Sequence, residues 1–168
     1  TEGNNINTAR YFMGGFGTQT AAMGAAGYDH STVVTNCETY DGTSYAEVAD
    51  VSTARYKFGG TGAGTISSGL IAAGKKPAGA NETEEWNFSS TLAAGAWASS
   101  NNLNTAKLAP GGWGTQTAAL AAGGVPNGAT SEEYDGSSWT EGNDLNTGRA
   151  RSGGGMGIQT AAVMVGGR

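Results

Sequence analysis

The stretch Gly111-Gly-Trp-Gly-Thr-Gln-Thr-Ala-Ala-Leu-Ala-Ala-Gly-Gly124 limits what this chain can fold into more than any other feature, because versions of it occur four times. The other copies run from Gly14 to Gly27, from Gly59 to Gly74 and from Gly153 to Gly167. Each follows a short basic tag: Asn7-Thr-Ala-Arg10, Ser52-Thr-Ala-Arg55, Asn104-Thr-Ala-Lys107 and Asn146-Thr-Gly-Arg149. A turn glycine recurs at Gly17, Gly64, Gly114 and Gly157, and an aromatic at Tyr40, Trp86 and Tyr134. Self-similarity at about 45 residues marks a repeat architecture in which each unit buries its apolar face against the next.

Within one unit the pattern is β throughout. Tyr11 to Phe16 and Thr20 to Ala26 flank Gly17-Thr18-Gln19 and read as two strands joined by a tight turn. Asp29 to Val33 form a polar loop. Asn36-Cys-Glu-Thr-Tyr40 alternates with the period of a half-buried strand. Asp41-Gly42 follows, a dipeptide that favours a hairpin turn with positive φ, and Ser44 to Val48 make the fourth strand. The second unit carries a longer first hairpin, a third strand Thr83-Glu-Glu-Trp86 and an inserted Asn87 to Gly95 before Trp97. The third has Ser131-Glu-Glu-Tyr134, Asp135-Gly136 and Trp139. The chain is thus expected to be one all-β repeat domain over 1–168. Residues 1–7 are the tail of a preceding repeat, 8–52 repeat 1, 53–104 repeat 2, 105–146 repeat 3 and 147–168 the first half of repeat 4.

Thirty glycines and abundant alanine predict a thin core made by stacking sheets closely. Charged residues are 14% and the net charge is −5, which disfavours a nucleic-acid partner, whose phosphates require a basic face. No apolar run approaches the ~20 residues of a membrane-spanning helix, so no membrane insertion is expected. Cys37 and His30 are the only residues of their kinds. No intrachain disulfide can form, and no metal centre or cofactor is expected. Cys37 reads as a small half-buried apolar residue.

The order of a basic residue, a glycine-rich strand, a small apolar strand ending Gly123-Gly124 or Gly166-Gly167, then Glu-x-Tyr-Asp and Trp is similar to the kelch motif of β-propellers. The wording Asn-Thr-Ala-Arg, Gly-Thr-Gln-Thr-Ala-Ala and Glu-Glu-Tyr-Asp-Gly-Ser-Ser-Trp resembles kelch-like repeats of structural and tail-fibre-type proteins of viruses that infect marine cyanobacteria. The resemblance implies propeller blades of four short antiparallel strands. Second strands as small as Ala21-Ala-Met-Gly-Ala-Ala26 depart from kelch units, and they leave a tighter stack of sheets or an intertwined β fibre open. Three whole units and two part units fall short of a ring of about four to eight blades. Further repeats of a longer chain, further copies of this one, or a four-bladed ring lacking a strand would each complete it. The resemblance further implies a non-enzymatic structural or receptor-binding segment in a virion or other extracellular assembly, with a cell-surface glycan or receptor as partner. Alternatives are a glycan-processing propeller enzyme and a kelch-type protein-interaction module.

Features present in every copy are expected to be scaffold. That covers the basic residues Arg10, Arg55, Lys107 and Arg149, expected to pair with repeat carboxylates or backbone carbonyls. Glu38, Glu85 and Glu133 are the recurring carboxylates before the third-strand aromatic. Tyr40, Trp86 and Tyr134, with Tyr45, Trp97 and Trp139, are expected between sheets. Function is sought where the copies differ. The residue before the turn glycine is Phe16, Ala63, Trp113 or Met156, and the loop after the second strand is Tyr28-Asp29-His30, Lys75-Lys76-Pro77 or Val125-Pro126-Asn127. Phe16, His30, Lys75, Lys76, Trp113 and Met156 are therefore the candidate ligand-binding residues. No catalytic residue is assigned: Glu84-Glu85 and Glu132-Glu133 are adjacent in strands and point to opposite faces.

Overall fold

The computed structural model describes residues 3–61, 65–76, 79–89, 94–150 and 154–167. All of its regular structure is β. Strands β1 (Gly14–Thr18), β2 (Ala21–Tyr28), β3 (Val33–Tyr40) and β4 (Tyr45–Val48) form one antiparallel sheet in chain order. β5 (Gly59–Gly60), β6 (Ser68–Ala72), β7 (Thr83–Ser89) and β8 (Ala94–Ser100) form the second. β9 (Gly111–Thr115), β10 (Ala118–Ala122), β11 (Ser131–Tyr134) and β12 (Trp139–Glu141) form the third, and β13 (Gly154–Ile158) pairs with β14 (Ala161–Val165) in a fourth. The expected turn glycine Gly64 and its neighbour Ala63, with Pro77, Gly153 and residues 1–2, lie outside the described residues.

Several strand boundaries differ from the sequence expectation: β2 runs on to Tyr28, β3 begins at Val33 inside the expected polar loop, and β7 continues to Ser89 into the expected insertion. The first strand starts at Gly14 rather than Tyr11, because Phe12 sits at φ 55° and breaks the extended run. In the second repeat the first strand shrinks to Gly59–Gly60. The Asp-Gly turns form as read. Gly42 and Gly136 take φ 94° and 93°, and Asp41 and Asp135 each accept two backbone N–H bonds across the loop. Those donors hold both carboxyls below their ordinary pKa.

The core lies between successive sheets. Phe16, Met23, Ala25 and Cys37 of the first sheet meet Ile71 and Trp86 of the second. Leu70 and Ala72, on the other face of β6, meet Ala119, Ala121, Tyr134 and Trp139 of the third. The middle sheet is therefore buried on both faces, and its alternating residues serve two cores. The six repeat aromatics pair directly across strands: Tyr40 with Tyr45, Trp86 with Trp97, and Tyr134 with Trp139. Complete burial of one such side chain contributes about 1.5–3 kcal/mol. Trp86 meets that condition at 0% exposure.

Small residues are needed where backbones meet. A Cβ on Gly112 would stand 2.8 Å from the Gly60 nitrogen, and one on Gly69 would fall 2.2 Å from the Phe16 ring. Three sets of hydrogen bonds then join the sheets. The amide at the end of each second strand donates to the carbonyl of the next unit's basic residue: Gly27 to Arg55 at 3.0 Å, Gly74 to Lys107 at 3.0 Å and Gly124 to Arg149 at 2.8 Å. The Lys57 N–H donates to Phe12 O at 3.1 Å, and the Ala109 N–H to Lys57 O at 2.9 Å. Turn glutamines also reach back one sheet, Gln116 to Trp86 O at 3.3 Å and Gln159 to Tyr134 O at 2.7 Å.

Cys37 is 0% exposed, and burial pushes its thiol up to about 11. Only thiolate reacts readily. The native protein is therefore expected to resist iodoacetamide at pH 8 and to react after denaturation. Rapid modification of the folded chain would contradict this packing.

Candidate functional site

The recurring charges are consumed by the scaffold. Arg10 bonds Glu38 at 2.9 Å and Arg55 bonds Glu84 at 2.5 Å, with both side chains of each pair essentially inaccessible. Burial lowers the Arg55 pKa, and the charges of Glu84 and Glu82 oppose the change. Lys107 instead donates to Thr130, through its carbonyl oxygen and its hydroxyl, and Arg149 donates to Gly166 O at 3.0 Å. The same glutamates accept the amides of the preceding tag. Asn7 donates to Glu38 at 2.8 Å, Ser52 to Glu84 at 2.7 Å and Asn104 to Glu132 at 2.7 Å.

The recurring carboxylates are accordingly Glu38, Glu84 and Glu132, not Glu38, Glu85 and Glu133. The buried position lies two residues before the aromatic, on the same strand face, whereas Glu85 and Glu133 point the other way. Glu85 accepts the Tyr134 hydroxyl at 2.5 Å, and Glu133 is exposed. The third-strand spacing carried this signal, and a strict count of two residues back from each aromatic finds it.

The candidate ligand residues separate into two groups. Phe16 and Trp113 are 5% and 4% exposed and belong to the packing between sheets, which corrects their assignment as ligand contacts. Their position before the turn glycine points into the inter-sheet space. Met156 holds the same position on β13 and is 74% exposed, in a different sheet from the remaining candidates. His30 lies at one end of a row of rings and Lys75 at the other, with Lys76 beside Lys75.

There the sequence reading missed Tyr11, Phe12, Tyr56 and Lys57. Tyr11 lies against His30 at 5.0 Å between ring centroids, Tyr28 at 5.3 Å and Phe12 at 4.8 Å. Tyr56 extends the row, 5.6 Å from Tyr28 and 6.2 Å from Phe12. The Lys57 ammonium stands 4.4 Å from the Phe12 ring centre and 5.4 Å from that of Tyr56, and Lys75 lies 5.8 Å from Tyr56. Tyr11 and Phe12 remain exposed at 39% and 48%. Grooves flank the row on either side, one along Asn5, Asn7, Arg10, Tyr11 and His30, the other along Val33, Thr53, Tyr56, Lys75 and Lys76. The Arg10 side chain is fully buried under the first groove. Two of its guanidinium nitrogens have no hydrogen-bond partner among the described residues.

A second cleft runs between the first strands of three sheets, lined by Met13, Gly14, Gly15, Phe58, Gly59, Gly60, Pro110, Gly111, Gly112 and Trp113. Backbone and apolar side chains make up this lining. Among the described residues no group of three or more His, Cys, Asp or Glu side chains is placed to hold a metal ion. No family model matches this chain, and no curated protein matches it either.

Proposed function

We propose that the chain is a kelch-like, propeller-type repeat segment without catalytic function. It serves as a structural and receptor-binding part of a larger extracellular assembly of the viral tail-fibre kind, and it recognises a cell-surface glycan or receptor. One observation carries this reading. The charges repeated in every unit are used up inside the scaffold, while exposed Tyr11 and Phe12 and half-buried Tyr56, Lys57 and Lys75 gather at one place on two neighbouring units. A rigid repeat that displays a variable patch suits binding.

Further repeats or further copies of the chain complete the stack in this account. Met156, Ile158, Val163 and Val165 on β13 and β14 are 53–74% exposed, an apolar surface of the kind that neighbouring sheets cover elsewhere. The Met156 position is the one that Phe16 and Trp113 bury in the first and third sheets.

The test is binding of fluorescently labelled protein to intact marine cyanobacterial cells, read by flow cytometry. The comparison is a triple variant, Tyr56→Leu with Lys57→Ala and Lys75→Val. These residues stand at the corresponding positions of the third repeat (Leu108, Ala109 and Val125), so the scaffold accommodates them. Saturable binding by the native chain, weakened about tenfold or more in the variant, is the expected result. Equal binding by both proteins, or release of sugar from the cells by the native chain, would overturn the proposal.

A further inference from the structure

The ring-and-lysine patch lies on backbone that the third repeat reproduces with different side chains. In each unit a residue after the basic tag bridges one after the second strand: Tyr11 with Tyr28, Tyr56 with Lys75, and Leu108 with Val125. The next residue takes a left-handed conformation each time, Phe12 at φ 55°, Lys57 at 54° and Ala109 at 55°. Hydrogen bonds from Lys57 to Phe12 and from Ala109 to Lys57 link these three positions. The third unit meets every backbone requirement with Leu, Ala and Val. Three tyrosines, a phenylalanine and two lysines in the first two units are therefore more than the fold demands.

Resting on the binding role proposed above, we infer that this patch is a subsite for an acidic polysaccharide, one whose sugar rings carry carboxylates. The chain has a net charge of −5, yet three of its four lysines stand here. Among the described residues Lys57 and Lys75 form no ion pair, and only Lys76 is matched, by Glu82. Of the carboxylates close to the patch, Glu38 is paired with Arg10, and Asp29, held ionised by the Ser31 and Thr32 amides of its own turn, stands as one negative charge against the ammonium groups of Lys57 and Lys75. Lys57 and Lys75 thus supply the unpaired positive charge of the patch, while Arg10 and Glu38 cancel beneath the groove beside Tyr11 and His30, where two Arg10 nitrogens have no hydrogen-bond partner among the described residues.

The geometry matches the chemistry of such a chain. Tyrosine and phenylalanine rings offer apolar faces to the C–H faces of pyranose rings. The Tyr11 and Tyr56 hydroxyls, which bond no described residue, are free to meet sugar hydroxyls. Lys57 and Lys75 are positioned over rings rather than left to wander, so less side-chain entropy is lost when they meet a carboxylate. The rings of Tyr11, Tyr28 and Tyr56 follow one another at 5.3 and 5.6 Å, which forms a row rather than a single pocket, as a linear polymer requires.

The experiment measures binding of polygalacturonate, neutral dextran and single-stranded DNA to the native chain by calorimetry at two salt concentrations. It is repeated with Lys57→Ala/Lys75→Val and with Tyr11→Leu/Tyr28→Val, both built from third-repeat residues. The expected result is that polygalacturonate binds, dextran does not, and binding weakens with salt. The lysine variant should then bind about tenfold more weakly with a flatter salt dependence, and the tyrosine variant more weakly with an unchanged one. Equal binding of dextran would overturn the acidic ligand class while leaving a glycan-binding role intact. Tighter binding of DNA, or no binding of polygalacturonate, would also overturn it. In that last case retained adhesion to cells would keep the proposed function standing without this subsite.

Discussion

Replacing Glu84 with alanine is expected to destabilise the protein by about 3–5 kcal/mol, because it leaves the Arg55 guanidinium charged, dry and unpaired. The Arg55 and Glu84 side chains are 0% and 2% exposed, so water cannot take over the lost contact. The substitution also strips the acceptor from the Ser52 amide and hydroxyl, which bond the same carboxylate at 2.7 and 2.8 Å. At about 2–4 °C per kcal/mol for a chain of this size, the thermal midpoint should fall by roughly 10 °C or more. Two controls make the result specific. Glu133→Ala, at an exposed position of the third sheet, should shift the midpoint by far less. The double replacement Arg55→Met with Glu84→Leu should recover most of the loss, since apolar pairs of similar volume often match a buried ion pair. A single Glu84→Ala variant that melts with the native protein would show that the pair is not buried.

Gly112→Val is the second large effect, expected to cost about 1–3 kcal/mol or more through overpacking. Even a single Cβ at this position would lie 2.8 Å from the Gly60 nitrogen and 3.0 Å from the Gly59 carbonyl carbon. Both obstacles are backbone, so no rotamer change relieves them, and β5 and β9 must move apart. Gly79→Ala is the matched control, because its Cβ would meet nothing closer than 3.8 Å. A Gly112→Val protein as stable as Gly79→Ala, in a urea titration of each, would mean that the first strands of adjacent sheets do not approach each other this closely.

The strand count and the scaffold role of the repeats were legible because both follow from period. Four strands per unit, an Asp-Gly turn and cross-strand aromatics are all local patterns that recur, and the repetition separates them from coincidence. Phe16 and Trp113 were misread for the opposite reason. They vary between copies, and variation on a repeat usually marks a loop. Here the varying side chains Phe16 and Trp113 are buried between sheets. The patch of rings and lysines was half visible. His30, Lys75 and Lys76 lie in a variable loop, but Tyr11, Phe12, Tyr56 and Lys57 follow the basic tag and read as strand. What takes them out of the strand is the left-handed turn at Phe12 and Lys57, which neither residue type announces. Comparing those positions with Leu108 and Ala109 would have raised the question, since aromatic and basic residues there give way to small aliphatic ones.

The central claim is that successive sheets are joined by repeating backbone hydrogen bonds into one cooperative stack, and native-state amide hydrogen exchange tests it most directly. The inter-sheet amides of Gly27, Lys57, Gly74 and Ala109 are expected to exchange as slowly as the central amides of β2, β6 and β10, through the same global opening. Fast exchange at those four amides while the central strands stay protected would contradict the claim, and would describe separate sheets loosely strung on one chain.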